Sequence, residues 1–388
     1  MNDLFWLTIV LFIVAAALRS ELFFYLLYVV VGLQVLARLW LRRSVRWLTW
    51  RRLAPAAGFP GEQLTVELEL TNRGLLPLPW LAIHESLPPA LHSPPMIREV
   101  LSLGAGERRV LTYTLVGQQR GYYKIGPLTL RTGDVLGLGE HSMAGQEPAT
   151  LTIYPPVLPL ADLGLPASLP YGTLATARRL FSDPARPAGV RPYQPSDGVR
   201  RIDWKTTART GTPYVRRYQP AIALETLIAL AFSREEYGGH YRYDVMERAL
   251  VAAASIAAYL VAQRQPIGLC TTGYDPAIGS QARPLPVAHG RAQLIEVLGT
   301  LGRLEPANHG ALPALIWQTG AHLGWGSTVV AITGQRGIDL VAALLPLKRR
   351  GLNVALILTE PTAEELGLPR RHGIAAYGLW RDGRPGPG

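Results

Sequence analysis

"ETLIALAFSREEYGGHYRYDVMERALVAAASIAAYLVAQRQPIGLCTT", residues 225–272, decides the fold of the second half of the chain. "ETLIALAF" (225–232) is an unbroken apolar run, as strands covered on both faces are. "DVMERALVAAASIAAYLVAQR" (244–264) follows and reads as a long helix. Its uncharged core of about 14 residues is too short to cross a bilayer and fits a helix buried in a protein core. "PIGLCTT" (266–272) is a second apolar strand. Strand, helix and strand in this order predict an α/β unit.

The alternation continues downstream. "ARPLPV" (282–287) reads as an edge strand, because its prolines cannot donate to a central ladder. "RAQLIEVLGTLGRL" (291–304) and "ALPALIWQTGAHL" (311–323) read as helices. "STVVAIT" (327–333), a helix over 338–349, "NVALILT" (353–359), a short helix near 362–366 and "IAAYGLW" (374–380) complete a doubly wound sheet. Residues 382–388 are left as a tail.

Upstream the pattern changes twice. "LTVELELT" (64–71) alternates strictly, apolar on one face and polar on the other, which makes a half-buried strand. "WLAIHES" (80–86), "RRVLTYTLV" (108–116), "YYKIGPLTLR" (122–131) and "ATLTIYP" (149–155) follow, broken by Gly and Pro. Such spacing predicts an antiparallel β-sandwich of immunoglobulin-like type. Before it lie two apolar runs, residues 4–18 and 22–41, separated by Arg19-Ser20-Glu21. The second matches the ~20 residues that span a bilayer, and the pair reads as a transmembrane hairpin. Arg42, Arg43, Arg46, Arg51 and Arg52 then follow. The positive-inside rule places that flank, and everything after it, in the cytoplasm. Trp47 and Trp50 among these arginines suggest a segment lying on anionic headgroups, but a plain stop-transfer flank is the preferred reading.

These readings divide the chain into a hairpin and basic flank (1–54), a β-sandwich (55–155), a Pro-rich connector with a helix near 174–181 (156–188), an α/β domain with the segment leading into it (189–381), and the tail. The net charge of +11 is carried almost wholly by arginine, since Lys124, Lys205 and Lys348 are the only lysines. The arginines are spread along the chain, which argues against a nucleic-acid stripe. Cys270 is the only cysteine, which excludes a disulfide framework and a multi-cysteine metal site. No phosphate-binding G-x-x-x-x-G-K-[ST], H-E-x-x-H or G-x-S-x-G motif occurs. An enzyme is therefore not expected.

Residues 189–220, "GVRPYQPSDGVRRIDWKTTARTGTPYVRRYQP", stand apart by their charge. Asp197 and Asp203 can accept bidentate bonds from Arg200, Arg201 or Arg209, and Trp204 can stack on a guanidinium. A structural ion-pair lattice with a spare basic face is the preferred reading over an acid/base centre.

This stretch resembles the defining motif of the bacterial family named domain of unknown function 58. The matching positions are Arg191, Tyr193, Pro195, Asp197, Arg200, Ile202, Asp203, Trp204, Ala208 and Arg209. Ser196 stands where glycine is usual. "QRGYYKIGPLTLRTGDVLGL" (119–138) resembles a second family segment, with Val135 and Leu136 in place of its Pro and Phe. The resemblance implies a C-terminal domain similar to von Willebrand factor type A domains, in which Mg²⁺ is held by D-x-S-x-S after the first strand, a threonine, and an aspartate after the fourth strand. The aligned positions here are Ala231, Ser233 and Glu235, then Thr333 and Gly334. Two carboxylates are missing and Arg234 adds a positive charge, so no Mg²⁺ or other cofactor is expected. Glu235 and Glu236 are the carboxylates that could stand in. The resemblance further implies an inner-membrane protein of bacteria that serves as a scaffold, working with a MoxR-type AAA+ ATPase in the assembly or maturation of other proteins. A membrane-associated hydrolase, or an anionic-lipid or nucleic-acid binder, is the alternative.

Overall fold

The computed structural model describes residues 2–18, 21–91, 96–134, 139–145, 148–166, 182–194, 202–220, 225–237, 242–334 and 338–380. These form two compact units, Met1–Pro156 and Val157–Gly388.

The first unit opens with helices α1 (Asn2–Leu18) and α2 (Glu21–Arg46). The Gln34 amide donates to the Thr8 hydroxyl at 2.8 Å, which ties the two together. Helix α2 is long and apolar enough to cross a membrane, and most of its residues are exposed. After Trp47 alone the chain becomes strand β1 (Leu48–Leu53). Nine more strands follow: β2 (Ala57–Gly58), β3 (Gln63–Asn72), β4 (Leu78–Ser86), β5 (Met96–Leu103), β6 (Arg108–Val116), β7 (Gly121–Ile125), β8 (Leu128–Gly133), β9 (Glu140–Ala144) and β10 (Ala149–Ile153). They pair in the orders β1-β3-β6, β2-β10-β7 and β5-β4-β8-β9, antiparallel except for β2 with β10. Alternation along β3 does what the sequence predicts. Leu68 and Leu70 join Leu78, Leu81, Ile83, Leu128 and Leu130 in one core cluster, while Leu64 and Val66 join Leu115, Ile125, Leu151 and Ile153 in a second. This is a β-sandwich.

The basic flank differs from its sequence reading. Residues 48–53 form a strand of the sandwich and do not simply extend the flank of the helix. Its period of two puts Leu48, Trp50 and Arg52 on the face that packs inward: Leu48 lies in the first core cluster and Trp50 packs against it. The Arg52 and Glu85 side chains, 2% and 1% exposed, form an ion pair. The Tyr113 hydroxyl donates to the second Glu85 oxygen at 2.5 Å. The pair links β1 of one sheet to β4 of another. Arg42, Arg43, Arg46, Trp47 and Arg51 remain exposed.

The second unit starts with a 3₁₀ turn at Leu160–Leu163. The helix expected near 174–181 lies outside the described residues. Strand β11 (Ser182–Pro192) then pairs with β12 (Tyr214–Pro220), with helix α3 (Trp204–Thr210) between them in sequence. The stretch read as a connector thus ends as a strand, because β12 supplies a partner that local sequence does not show.

The α/β part runs β13 (Thr226–Leu230), α4 (Arg242–Ala262), β14 (Ile267–Thr271), β15 (Tyr274–Asp275), β16 (Ser280–Gln281), β17 (Leu285–Ala288), α5 (Gly290–Arg303), α6 (Leu312–Gly320), β18 (Thr328–Thr333), α7 (Ile338–Arg349), β19 (Asn353–Thr359), α8 (Ala363–Arg371) and β20 (Ala375–Leu379). The main sheet has the order β17-β14-β13-β18-β19-β20, with β17 antiparallel at the edge and the rest parallel. Every residue of β13, β14 and β18 is buried. Helix α4 passes the same length and hydropathy test as α2, but it is mostly buried and serves as a core helix. Helix α8 outruns its expected end at 366. Thr362 and Glu365 form a reciprocal capping box at its start, and the helix continues through Pro369 to Arg371.

Candidate functional site

Two places carry the residues singled out in the sequence. The first is the ribbon made by β11, β12 and α3. The Asp203 amide donates to the Tyr214 carbonyl at 2.8 Å, and its own carbonyl accepts from the Thr207 amide at 3.0 Å. Asp203 therefore locks the start of α3 against β12. The Thr207 hydroxyl accepts from the Tyr214 amide at 3.0 Å, and Gly211 ends the helix in a left-handed conformation with φ 72°. Ile202 bridges to Val215, which is buried. Tyr193 donates its amide to the Pro213 carbonyl, and an Arg191 guanidinium nitrogen donates to the Pro192 carbonyl. The residues of this motif thus build a ribbon and a helix start.

What the ribbon leaves outside is one face of α3. Trp204, Lys205, Ala208 and Arg209 are all exposed, and they fall on one stripe at positions i, i+1, i+4 and i+5. Trp204 is 67% exposed. Pro195, Asp197, Arg200 and Arg201 lie outside the described residues.

The second place is the carboxyl end of β13 and β18, where strand order reverses and where open α/β sheets bind ligands. Ala231, Ser233, Thr333 and Gly334 meet there, as the sequence reading placed them. Their surroundings are filled by the chain itself. The Ala231 amide donates to the Ile332 carbonyl at 2.9 Å, and the Phe232 amide to the Thr272 hydroxyl at 2.8 Å. A 3₁₀ turn, Arg234–Glu236, then folds over the strand ends. The buried Tyr237 hydroxyl donates back to the Ala231 carbonyl at 2.9 Å. A Cβ on Gly334 would lie 2.4 Å from the Glu236 carbonyl oxygen and 2.7 Å from the Tyr237 ring. Glycine is required by that contact.

The two acidic neighbours separate. Glu235 is exposed and pairs with exposed His309 at 2.6 Å. Glu236 turns inward, 9% exposed, with both carboxyl oxygens out of reach of solvent. Burial pushes its pKa up to about 7 and the Glu235 charge adds to this; the Ser233 hydroxyl and the backbones of Leu312 and Ser233 pull the other way. Sequence reasoning named Glu236 only as a stand-in ligand. Its turn over Gly334 depends on a contact across the sheet. Gly334→Asp is expected to cost about 1–3 kcal/mol, as overpacking of a filled site does. The urea midpoint for protease resistance of the α/β unit in the purified full chain reads this, and an unchanged midpoint would contradict the close packing.

A groove bordered by Glu225, Leu227, Pro284, Thr319, His322 and Leu323 opens elsewhere in this unit. It lies toward the amino ends of the strands, opposite the usual ligand end.

The second unit is thus a doubly wound α/β domain preceded by a signature ribbon. Residues 189–371 match the family model described as Protein of unknown function DUF58, so this part of the chain is a DUF58 region. It is 24% identical over 228 residues to the uncharacterized protein YeaD of Bacillus subtilis (strain 168), a match covering 56% of this chain and 54% of that protein. It is 39% identical over 72 residues to the uncharacterized protein Rv1480 of Mycobacterium tuberculosis (strain ATCC 25618 / H37Rv), covering 19% of this chain and 23% of that one. The match thus spans about half of the first relative and less of the second. Among solved structures, the CARDB domain of a Pyrococcus furiosus protein aligns at 18% identity with a TM-score of 0.20, covering 27% of this chain and 86% of that one.

Proposed function

We propose that this chain is a non-enzymatic, membrane-anchored scaffold whose cytoplasmic α/β domain, of the von Willebrand factor A-like type, binds other proteins. The exposed Trp204–Arg209 face of α3 carries the reading. Trp and Arg dominate the energetics of protein interfaces, and an aromatic ring flanked by Lys205 and Arg209 suits an acidic partner surface with an apolar centre. The anchor is supported by the length, apolarity and exposure of α2. The von Willebrand-like reading is supported by the doubly wound order and by Ser233 and Thr333 flanking the point of reversal. Its metal would not be retained. Gly334 has no room for a carboxylate, Ala231 has no side-chain oxygen and its carbonyl already accepts from Tyr237, and Mg²⁺ demands a near-octahedral set of hard ligands. An enzymatic alternative would use Asp197 or Asp203 of the signature as acid or base, and the backbone of Asp203 here ties the start of α3 to β12. The MoxR-type AAA+ ATPase implied by the family resemblance is the partner we assign to the α3 face.

Site-specific photocrosslinking from position 205 in cells tests this. The parent chain is expected to yield a discrete crosslinked ATPase. Trp204→Ala is expected to reduce that product at least about tenfold, the loss of one aromatic hot spot. A crosslink to the ATPase that Trp204→Ala leaves unchanged would remove the α3 face from the interface, and no discrete product at all would sink the scaffold reading.

A further inference from the structure

The turn Arg73–Pro77 joins β3 to β4 and is built with unusual rigidity for a surface loop. Asn72, fully buried, is its frame. Its side-chain amide donates to the carbonyls of Leu76 and Gly104, both at 2.9 Å, and its side-chain oxygen accepts from the Gly74 amide at 3.0 Å. The Arg73 amide donates to the Trp47 carbonyl at 2.9 Å, and the Gly106 amide to the Gly74 carbonyl at 3.2 Å. A Cβ at Gly74 would sit 3.1 Å from that of Trp47. The turn is clamped to the foot of α2.

Its tip is apolar and bare. Leu75 is 93% exposed, and Arg73 and Pro77 are exposed beside it. A lone exposed leucine is ordinary. This one is placed by a second contact: the Trp40 indole donates to the Pro77 carbonyl at 3.2 Å. The apolar run of α2 from Leu22 to Leu41 is about 30 Å long at ~1.5 Å per residue, the thickness of the hydrocarbon layer. Trp40 therefore stands at the end of that layer, the level of an aromatic belt. The turn reaches the same level. Exposed Trp47 and Arg73 lie beside it, and exposed Arg42, Arg43 and Arg46 follow Trp40 along α2, a set matched to anionic headgroups.

We propose that the 73–77 turn is a second membrane contact, with Leu75 set at the acyl–headgroup boundary of the leaflet that α2 leaves. This rests on the membrane-anchored reading of α2. Two contacts, the helix and the turn, hold the β-sandwich at a fixed tilt on the bilayer. The helix hairpin alone would hold it only through the short Trp47 link.

The test uses the full chain in vesicles of phosphatidylethanolamine and phosphatidylglycerol. Cys270 is fully buried and its thiol is pushed up to about 11 by burial, so it stays unlabelled and new cysteines can be added to the native background. Nitroxide labels go on Leu75→Cys, on Val29→Cys within α2, and on Gln63→Cys, which is exposed at the other end of β3, about 30 Å from Asn72. Collision with dissolved oxygen and with a water-soluble nickel chelate reports depth. Val29 is expected deep, Leu75 at the boundary and Gln63 in water. A label at Leu75 as open to the chelate as one at Gln63, with Val29 deep, would overturn this contact and leave the anchor standing. A label at Val29 open to the chelate would overturn both.

Discussion

Arg52→Ala is expected to destabilise the β-sandwich by about 3–5 kcal/mol, the cost of leaving a buried charge without its partner. Glu85 would remain, inside the protein, facing only the Tyr113 hydroxyl. That hydroxyl stays protonated and donating: burial first, then the Glu85 carboxylate beside it, push its pKa above the usual tyrosine range. Pulse proteolysis across urea on the purified full chain reads the loss in the first unit. The double variant Arg52→Met with Glu85→Leu separates charge from packing. It is expected to recover part of the loss, because exchanging both partners for apolar groups removes the unpaired charge while the Tyr113 hydroxyl loses its acceptor. A loss under about 1 kcal/mol in Arg52→Ala would mean that water reaches Glu85.

The second large effect is at Glu236 and depends on pH. Its pKa rises from 4.5 to about 7, chiefly because burial disfavours the charged carboxylate. The folded chain therefore holds the proton more tightly than the unfolded one. Stability from this group is highest below about pH 4.5, falls as pH rises toward 7, and is level above that. The full difference corresponds to about 3 kcal/mol. Glu236→Gln keeps the shape and never ionises. It is expected to match the parent near pH 4.5 and to exceed it by about 1–3 kcal/mol at pH 8, read as the urea midpoint of the α/β unit. An equal gap between the two chains at both pH values would show that Glu236 is hydrated in the folded state.

The two residues also show where sequence reading stops. Arg52 sits in a run of arginines after an apolar helix, and the sequence assigns the whole run to the membrane flank. The alternation Leu48, Trp50, Arg52 is a strand signal within that run. It was masked because the guanidinium at its end looks like a solvent residue. Its burial is made tolerable by Glu85, far along the chain and itself bonded to Tyr113. Glu236 poses the same difficulty. Beside Glu235 it reads as one of a surface pair, and the turn over Gly334 sends one carboxylate outward to His309 and the other inward.

The order of amino acids determined by itself what depends on neighbours along the chain. The apolar helix pair, the alternating strands of the sandwich, the β/α series from Glu225 onward and the edge position of the Pro-bearing strand were all legible. Each is a matter of periodicity, length or turn chemistry within about ten residues. The tertiary structure alone decided which charges go inside, which strand pairs with residues 182–192, what closes the end of β13, and which face of α3 stays open. Those outcomes turn on partners brought together across the fold, and a buried charge or a close glycine contact has no local spacing to announce it.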